Sequence, residues 1–439
     1  MPQSTSDFVH QLTWERIPPI VREQARRCLL DTIGVAIAAR QTDLSRIIYD
    51  LVASQFGGDN CALWLDGRRV SASGAALAHG MTIDAVDMHD GYTLTKGHAG
   101  AAVVPALFAL VLSGVSGKEL LTRLMVGYEV ALRAGLALHQ TACDYHTSGA
   151  WNALGSAAVV ARSLGLNEAQ TRHALGIAEY HGPRSQMMRV IDHPTMLKDG
   201  SGWGAMAGVS AGLMAASGFS GAPAITVEGE DVAGIWADLG QRWRMMEQYF
   251  KPYAVCRWAQ PAITGALRLK QAHDIVCEDI VRITIETFHE AARLTTRHPA
   301  DTEQAQYSLP FPVAAALVYG KLGADEIQEP ALSNPEVLQL ADRTLIVESE
   351  AFNKVFPAER FARVEIKTGD GRSLNSGAVQ TTWEAHAPPA NEDLKEKFRQ
   401  LVRPVLPAGR RELLVTMLWE IEKLDSLEEL VTCLSQPPD

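Results

Sequence analysis

The residues best placed to do chemistry lie in one run, His79-Gly-Met-Thr-Ile-Asp84-Ala-Val-Asp87-Met-His89-Asp90-Gly-Tyr-Thr-Leu-Thr-Lys96-Gly-His98. Asp84 and Asp87 are three apart, so a helix would set them on one face. Like charges held together raise one carboxyl pKa, which suits a general base. His98 follows a glycine loop and is expected to turn back toward them. A helix end with solvated acids is the bland alternative. So many acids and histidines in so short a run, just ahead of an apolar helix, favour function over it. Asp84, Asp87 and Asp90 also recur at every third residue, a spacing that could hold a divalent metal. That chemistry needs a second acidic motif on a facing helix, and none is convincing here. Neither H-x-x-x-H nor H-E-x-x-H is present. A metal-dependent helical enzyme built on these three acids is therefore a secondary alternative, and no metal ligand is assigned.

A second cluster runs from Arg184 and Arg189 through His193 and Lys198 to Gly200-Ser-Gly202-Trp-Gly204-Ala205. The glycines fit G-x-G-x-x-A, but a dinucleotide site needs a strand just before them, and His193-Pro-Thr-Met-Leu-Lys198 does not read as one. A loop entering a helix is the better reading. Its free N–H groups at Gly200, with Lys198 and Arg189, would attract an anion such as a carboxylate. The third cluster is Phe250-Lys251-Pro-Tyr253-Ala-Val-Cys256-Arg257-Trp258. Lys251 and Arg257 add positive charge where the sequence texture changes, and domain junctions favour pockets. Cys256 reads as a small core residue rather than a nucleophile.

Helical periodicity dominates the elements that must position these residues. Pro18-Pro19 opens a helix with Ala25, Cys28, Leu29, Ile33 and Ala36 on one face. Helices are expected over 71–88 (closed by Gly91), 118–139, 150–164 and 168–179, the last started by Asn167 and Gln170 as a capping box. Near residue 250 the pattern alternates instead. Residues 281–286, 345–348 and 361–367 read as strands, the last entering a Thr368-Gly-Asp-Gly-Arg hairpin turn. The helical pattern returns after Pro388-Pro389, with Leu413, Leu414, Met417, Leu418 and Ile421 on one face. The expected fold is mainly α. Residues 1–249 and 389–439 form a large all-helical domain from both chain ends, and 250–388 form an inserted α+β lid domain.

Composition excludes several classes. The chain has 439 residues, 47% hydrophobic and 21% charged, which fits a globular protein with a large core. Lys+Arg 40 against Asp+Glu 51 gives a net charge of −11, which argues against nucleic-acid and anionic-membrane partners. The apolar stretches 99–115 and 202–218 are shorter than a membrane span and rich in small residues, so buried helices are expected. Six cysteines form no C-x-x-C pair. That points away from zinc and iron–sulfur sites and toward a reducing compartment. With a polar N-terminus, a cytoplasmic location is expected.

Taken in order, these segments resemble the MmgE/PrpD family, which includes 2-methylcitrate dehydratase, cis-aconitate decarboxylase and iminodisuccinate epimerase. The resemblance runs over nearly the whole chain. It is carried by Leu30-Asp-Thr-Ile-Gly-Val, Gly80-Met-Thr-Ile-Asp-Ala-Val-Asp87, Gly97-His98-Ala-Gly, Gly127-Tyr-Glu-Val, Trp151-Asn-Ala-Leu-Gly-Ser-Ala-Ala, Leu197-Lys198-Asp-Gly and Lys251-Pro-Tyr. It implies a helical domain with a lid, a homodimer and no cofactor. It also implies a site acid at Asp87, histidines at His98 and His146, and lysines at Lys198 and Lys251. This chain departs from the family at His89-Asp90-Gly91, where many members have Asp-Asp-Thr. It departs again at Cys256, where the decarboxylase has a histidine, and at Phe311, set against a tyrosine.

The expected chemistry is proton abstraction beside a carboxylate of a small di- or tricarboxylate, with Asp87, His98 or His146 moving protons. Lys198, Lys251 and helix N–H groups would stabilise the aci-carboxylate. Arg189, Gly200, Cys256, Arg257 and Phe311 are the expected substrate-binding positions. Loss of a β-hydroxyl would make the enzyme a dehydratase, the first expectation. Return of the proton to the other face would make it an epimerase, and loss of CO₂ a decarboxylase. Asp87, His98, Lys198 and Lys251 are expected to line one cleft between the helical and inserted parts.

Overall fold

The computed structural model describes residues 4–110 and 114–438. Its helices begin and end where local chemistry dictates. α1 (Pro19–Ala39) starts with proline at its first position and buries nearly its whole second half. α2 (Ala72–Asp84) is capped by the Ser71 side chain. α3 (Gly100–Ala109) is fully buried. The apolar stretch 99–115 continues through 111–113, which lie outside the described residues. α4 (Gly117–Thr141) and α5 (Gly149–Leu164) follow, and Gly165 ends α5 at φ 62°. α6 (Glu168–His181) carries the expected Asn167/Gln170 capping box, and α7 (Ser201–Ala216) completes the group.

Small residues let these helices pack closely. α7 lies against α2, α5 and α6, and α4 lies against α5. A Cβ placed on Gly80 would sit 2.6 Å from the Gly202 Cα, so α2 and α7 cross backbone to backbone only because both positions are glycine. The helix in the 202–218 stretch is thus buried on the face that meets α2 and α5, while Trp203 and residues 216–218 are exposed. No helix among the described residues is long and apolar enough to cross a membrane.

The alternating segments form one four-stranded sheet. β1 (Ile280–Thr287), β2 (Thr344–Glu348), β3 (Ala362–Thr368) and β4 (Ser373–Val379) stand in the order β2-β1-β3-β4. β1 pairs parallel with β2 and antiparallel with β3, and β3 and β4 form the expected hairpin. Gly371 supplies its positive φ of 87°. α8 (Gln260–His273) covers β3 and β4.

The C-terminal helices return to the N-terminal ones. α9 (Asn391–Val402) packs on α1. Lys397, inside α9, is buried and bonds Asp31 of α1 at 2.6 Å and the Met88 carbonyl at 2.8 Å. Arg26 pairs with Glu422 at 2.5 Å, and the Leu65 N–H donates to the Leu434 carbonyl at 2.8 Å.

The helix expected over 71–88 stops at Asp84. Two tertiary pairings end it. The Asp84 carboxylate turns away to accept the Ser201 N–H at the start of α7, 3.2 Å away. Asp87 lies past the helix at φ 46°, a conformation that a helix cannot contain. The two acids therefore do not share a helix face. A short antiparallel pairing of Gly91-Tyr92 with Gln248-Tyr249 then draws the loop after α2 alongside the segment leading to Lys251.

Candidate active site

That pairing brings Asp87 and Lys251, 164 positions apart, into direct contact. The Lys251 Nζ donates to Asp87 Oδ1 at 2.5 Å and to the Asp87 carbonyl at 3.1 Å. Both side chains are buried. Burial alone would raise the Asp87 carboxyl, yet the Lys251 and Lys198 charges hold it below its ordinary value. Burial alone would lower the Lys251 ammonium, and the Asp87 charge reverses that and raises it. The two are therefore an ion pair. Asp87 is too well stabilised as an anion to serve as a strong base.

His98 is held from both ends. Its N–H donates to the Ser148 Oγ at 3.0 Å, and its carbonyl accepts from Asn152 Nδ2 at 3.0 Å. Its Nδ1 lies 2.6 Å from the Asp90 carbonyl, which can only accept, so Nδ1 carries the hydrogen. The neutral ring then has its lone pair on Nε2. That atom faces Asp199 Oδ2 at 3.5 Å and Asp87 Oδ1 at 4.0 Å. Burial, Lys251 and His89 hold the imidazole well below its ordinary value, so it is neutral at pH 7. The His89 ring packs on the His98 ring with centroids 4.3 Å apart, and His89 Nε2 is held by Asp84 at 2.8 Å.

Asp199, next to Lys198, has the opposite electrostatics. It is buried and accepts from the Ser148 hydroxyl at 3.0 Å. Burial and the Asp84 and Asp87 charges push its carboxyl up to about 7. Sequence reasoning missed it, although it stands beside a residue singled out on charge alone. At the cavity the raised acid is thus Asp199, whereas Asp87 is lowered.

Asp87, His98 and Lys251 line one small cavity, of about 30 Å³, together with Asp199, Cys256 and Arg257. Tyr307, Tyr249, Tyr145, Lys96 and Arg360 complete its polar wall. Arg257 is already paired with Glu384 at 2.7 Å. Lys198 is buried just behind the wall, with Nζ 4.8 Å from the Tyr307 ring centre and bonded to Gln306. Like Asp87 and Lys96 it has a positive φ. Three of the six described non-glycine residues with positive φ therefore cluster at this site, where strained backbone tends to collect.

The remaining expected residues stand outside the lining. His146 is half-buried and turns Nδ1 to Asp144, 3.3 Å from its carboxylate. Arg189 is exposed and bonds Ser185. Gly200 has a positive φ of 66° at the entry to α7, and the anion on the adjoining Ser201 N–H is the chain's own Asp84. Phe311 is buried in the helix Pro310–Tyr319; from this segment it is Tyr307, four positions earlier, that reaches the cavity.

Asp84, Asp87 and Asp90 do not converge on one point. Asp84 serves His89 and Ser201, Asp87 serves Lys251, and Asp90 Oδ2 accepts from the Tyr128 hydroxyl at 2.9 Å. A different trio, Asp87, His89 and His98, brings one possible ligand atom each within 4.8 Å of one another. The Lys251 ammonium on Asp87 already puts a positive charge there, so a divalent cation would be held against it.

Two family models match the chain: the MmgE/PrpD N-terminal domain over residues 3–242 and the MmgE/PrpD C-terminal domain over 253–421. Full-length similarity agrees. Human cis-aconitate decarboxylase is 24% identical over 99% of this chain and 94% of its own length. The cis-aconitate decarboxylase-like protein oryM of Aspergillus oryzae is 23% identical over 98% and 96%. The mitochondrial 2-methylcitrate dehydratase of Yarrowia lipolytica is 23% identical over 93% and 85%. The matches span both the segment that carries Asp87, His98 and Asp199 and the one that carries Tyr307 and Arg360, and on them the chain belongs to the MmgE/PrpD family.

Proposed function

We propose that the protein is a lyase acting on a small di- or tricarboxylate by removing a proton beside a carboxylate, with dehydration or hydration as its reaction. The observation that carries this is the neutral His98, its lone pair aimed at a cavity between an acid raised to about 7 and an ion-paired lysine. Environments that push two titratable groups apart mark base and acid. His98 Nε2 is the base. It takes the proton from the carbon next to the substrate carboxylate, and the C–H electrons move into that carboxylate as an aci-carboxylate. Lys251 and Lys198 stabilise this charge. Bound carboxylates also offset the Lys251 field that depresses His98, so the imidazole becomes a better base once substrate is in place. The electrons then return to form the carbon–carbon double bond as the β-hydroxyl leaves. Asp199 donates the proton that makes it water. Asp87 holds Lys251 in position.

In this reading the segment 250–388 is a lid. It contributes Lys251, Tyr307 and Arg360, while 1–249 contributes Asp87, His98 and Asp199, so substrate would sit between them. Decarboxylation is the second reading, favoured by relatives named cis-aconitate decarboxylase. Turnover on a panel of hydroxylated and unsaturated di- and tricarboxylates tests the choice. Appearance of an alkene without CO₂ supports dehydration, CO₂ release supports the second reading, and no turnover on any of them would overturn both.

A further inference from the structure

Most cations of the cavity already have partners. Lys251 is paired with Asp87, and Arg257 with Glu384. Lys198 bonds Gln306. Arg360 differs. It is 4% exposed and its Nη2 donates to the Thr93 carbonyl at 3.1 Å. Its Nε and Nη1 are buried with no hydrogen-bond partner. The Tyr249 ring lies alongside, 5.6 Å from the guanidinium carbon. Besides the Thr93 carbonyl, only the Tyr249 hydroxyl offers it a polar contact among the described residues, and a buried guanidinium with no carboxylate on it carries a desolvation cost that an arriving anion offsets. Lys96 stands near it, over the Tyr145 ring at 4.6 Å, and the two like charges repel: after burial, Arg360 is the next cause lowering the Lys96 ammonium. Neither cation forms a salt bridge among the described residues. The Glu290 charge offsets part of this at Lys96, and two cations without an ion pair on one wall of a small cavity favour a negative ligand group.

We infer that Arg360 and Lys96 form a subsite for a second substrate carboxylate, remote from the one beside which His98 takes its proton. The guanidinium fork is the natural partner of a planar carboxylate. The subsite therefore selects dianionic and trianionic acids over the monocarboxylates that lack only the second carboxylate. Arg360 lies just before β3, and its bond to Thr93 ties that part of the chain to the loop between Asp87 and His98. A carboxylate held there bridges both sides of the cavity. The inference rests on the reading of the site as one for a carboxylate substrate.

The test is calorimetric binding of three probes, propane-1,2,3-tricarboxylate, pentanedioate and butanoate, to wild type, Arg360→Gln, Arg360→Lys and Lys96→Gln. Wild type is expected to bind the first two more tightly than butanoate. Arg360→Gln should weaken them by about 30-fold or more, the usual cost of truncating one partner of a buried charge pair. Butanoate binding should change less than about threefold. Arg360→Lys should recover part of the loss, because it keeps the charge without the fork. Lys96, whose ammonium makes no hydrogen bond among the described residues, carries the same prediction in a variant with less effect on folding. Weak binding of all three probes by wild type would overturn the carboxylate reading and this inference with it. Tight binding of the polyacids that Arg360→Gln and Lys96→Gln leave intact would overturn the subsite alone.

Discussion

Asp199→Asn keeps the shape of the side chain and an oxygen for the Ser148 hydroxyl, and removes one titratable carboxyl from the interior. Burial and the charges of Asp84 and Asp87 push that carboxyl from 3.8 to about 7 in the folded protein. The folded chain thus holds a proton over a pH range in which the unfolded chain has released it. For this group, the free energy of unfolding falls as pH rises from about 4 to about 7 and is level on either side. Each pH unit within that window is worth about 1.4 kcal/mol, so the step from pH 5 to pH 8 contains up to about 3 kcal/mol. The variant lacks this titration. Its stability relative to wild type should therefore rise by that amount between the two pH values. With an unfolding entropy of about 2 cal/mol/K per residue over 439 residues, the shift is about 3 °C in relative Tm. Differential scanning calorimetry at matched ionic strength measures it. Taking the difference between variant and wild type cancels other groups that titrate, among them Asp90, which burial and Asp31 push up to about 6. The same difference at both pH values would show Asp199 ionised throughout, and would remove it as the proton donor.

Lys251→Met leaves the Asp87 carboxylate buried without its cation and should cost about 3–5 kcal/mol in urea unfolding. Adding Asp87→Asn should recover much of that, and an equal loss in single and double variants would show that the pair is not coupled. Gly202→Ala drives a methyl into Met81 of α2, whose backbone nitrogen would lie 2.6 Å away; it should cost about 1–3 kcal/mol in thermal unfolding, and no loss would contradict the close helix crossing. Prolonged chelation should leave turnover unchanged, because Lys251 already supplies the positive charge at Asp87. Loss of activity that stoichiometric divalent metal restores would instead make Asp87, His89 and His98 metal ligands.

What could be read from the sequence was what local pattern decides. The capping box at Asn167, the alternation in β1 and β3 and the hairpin turn at Gly371 depend on residues a few positions apart, and each stands where it was expected. The end of α2 was misjudged because distant residues settle it. Asp84 is claimed by Ser201, and Asp87 is pulled into a left-handed conformation by Lys251. The same pairing explains why Asp87 attracts no proton while Asp199 does. Arg360 gave no signal, since an arginine ahead of a strand is usually solvated; only the packed wall around it leaves it buried with unused donors. Lys198 was recognisable by its charge, but its position behind Tyr307 depends on how residues 302–307 fold against it.

The claim that His98 takes a proton from the carbon beside a carboxylate is tested most directly by deuterium wash-in. A polycarboxylate that wild type turns over is incubated in D₂O, and label at that carbon is followed by NMR for wild type and His98→Gln. In the hydration direction, from the unsaturated acid, wild type should place one solvent deuterium at that carbon per turnover. His98→Gln should be slower by about 10²–10⁴, the usual worth of a general base, with its polycarboxylate binding little changed. Exchange in His98→Gln at the wild-type rate would contradict the account.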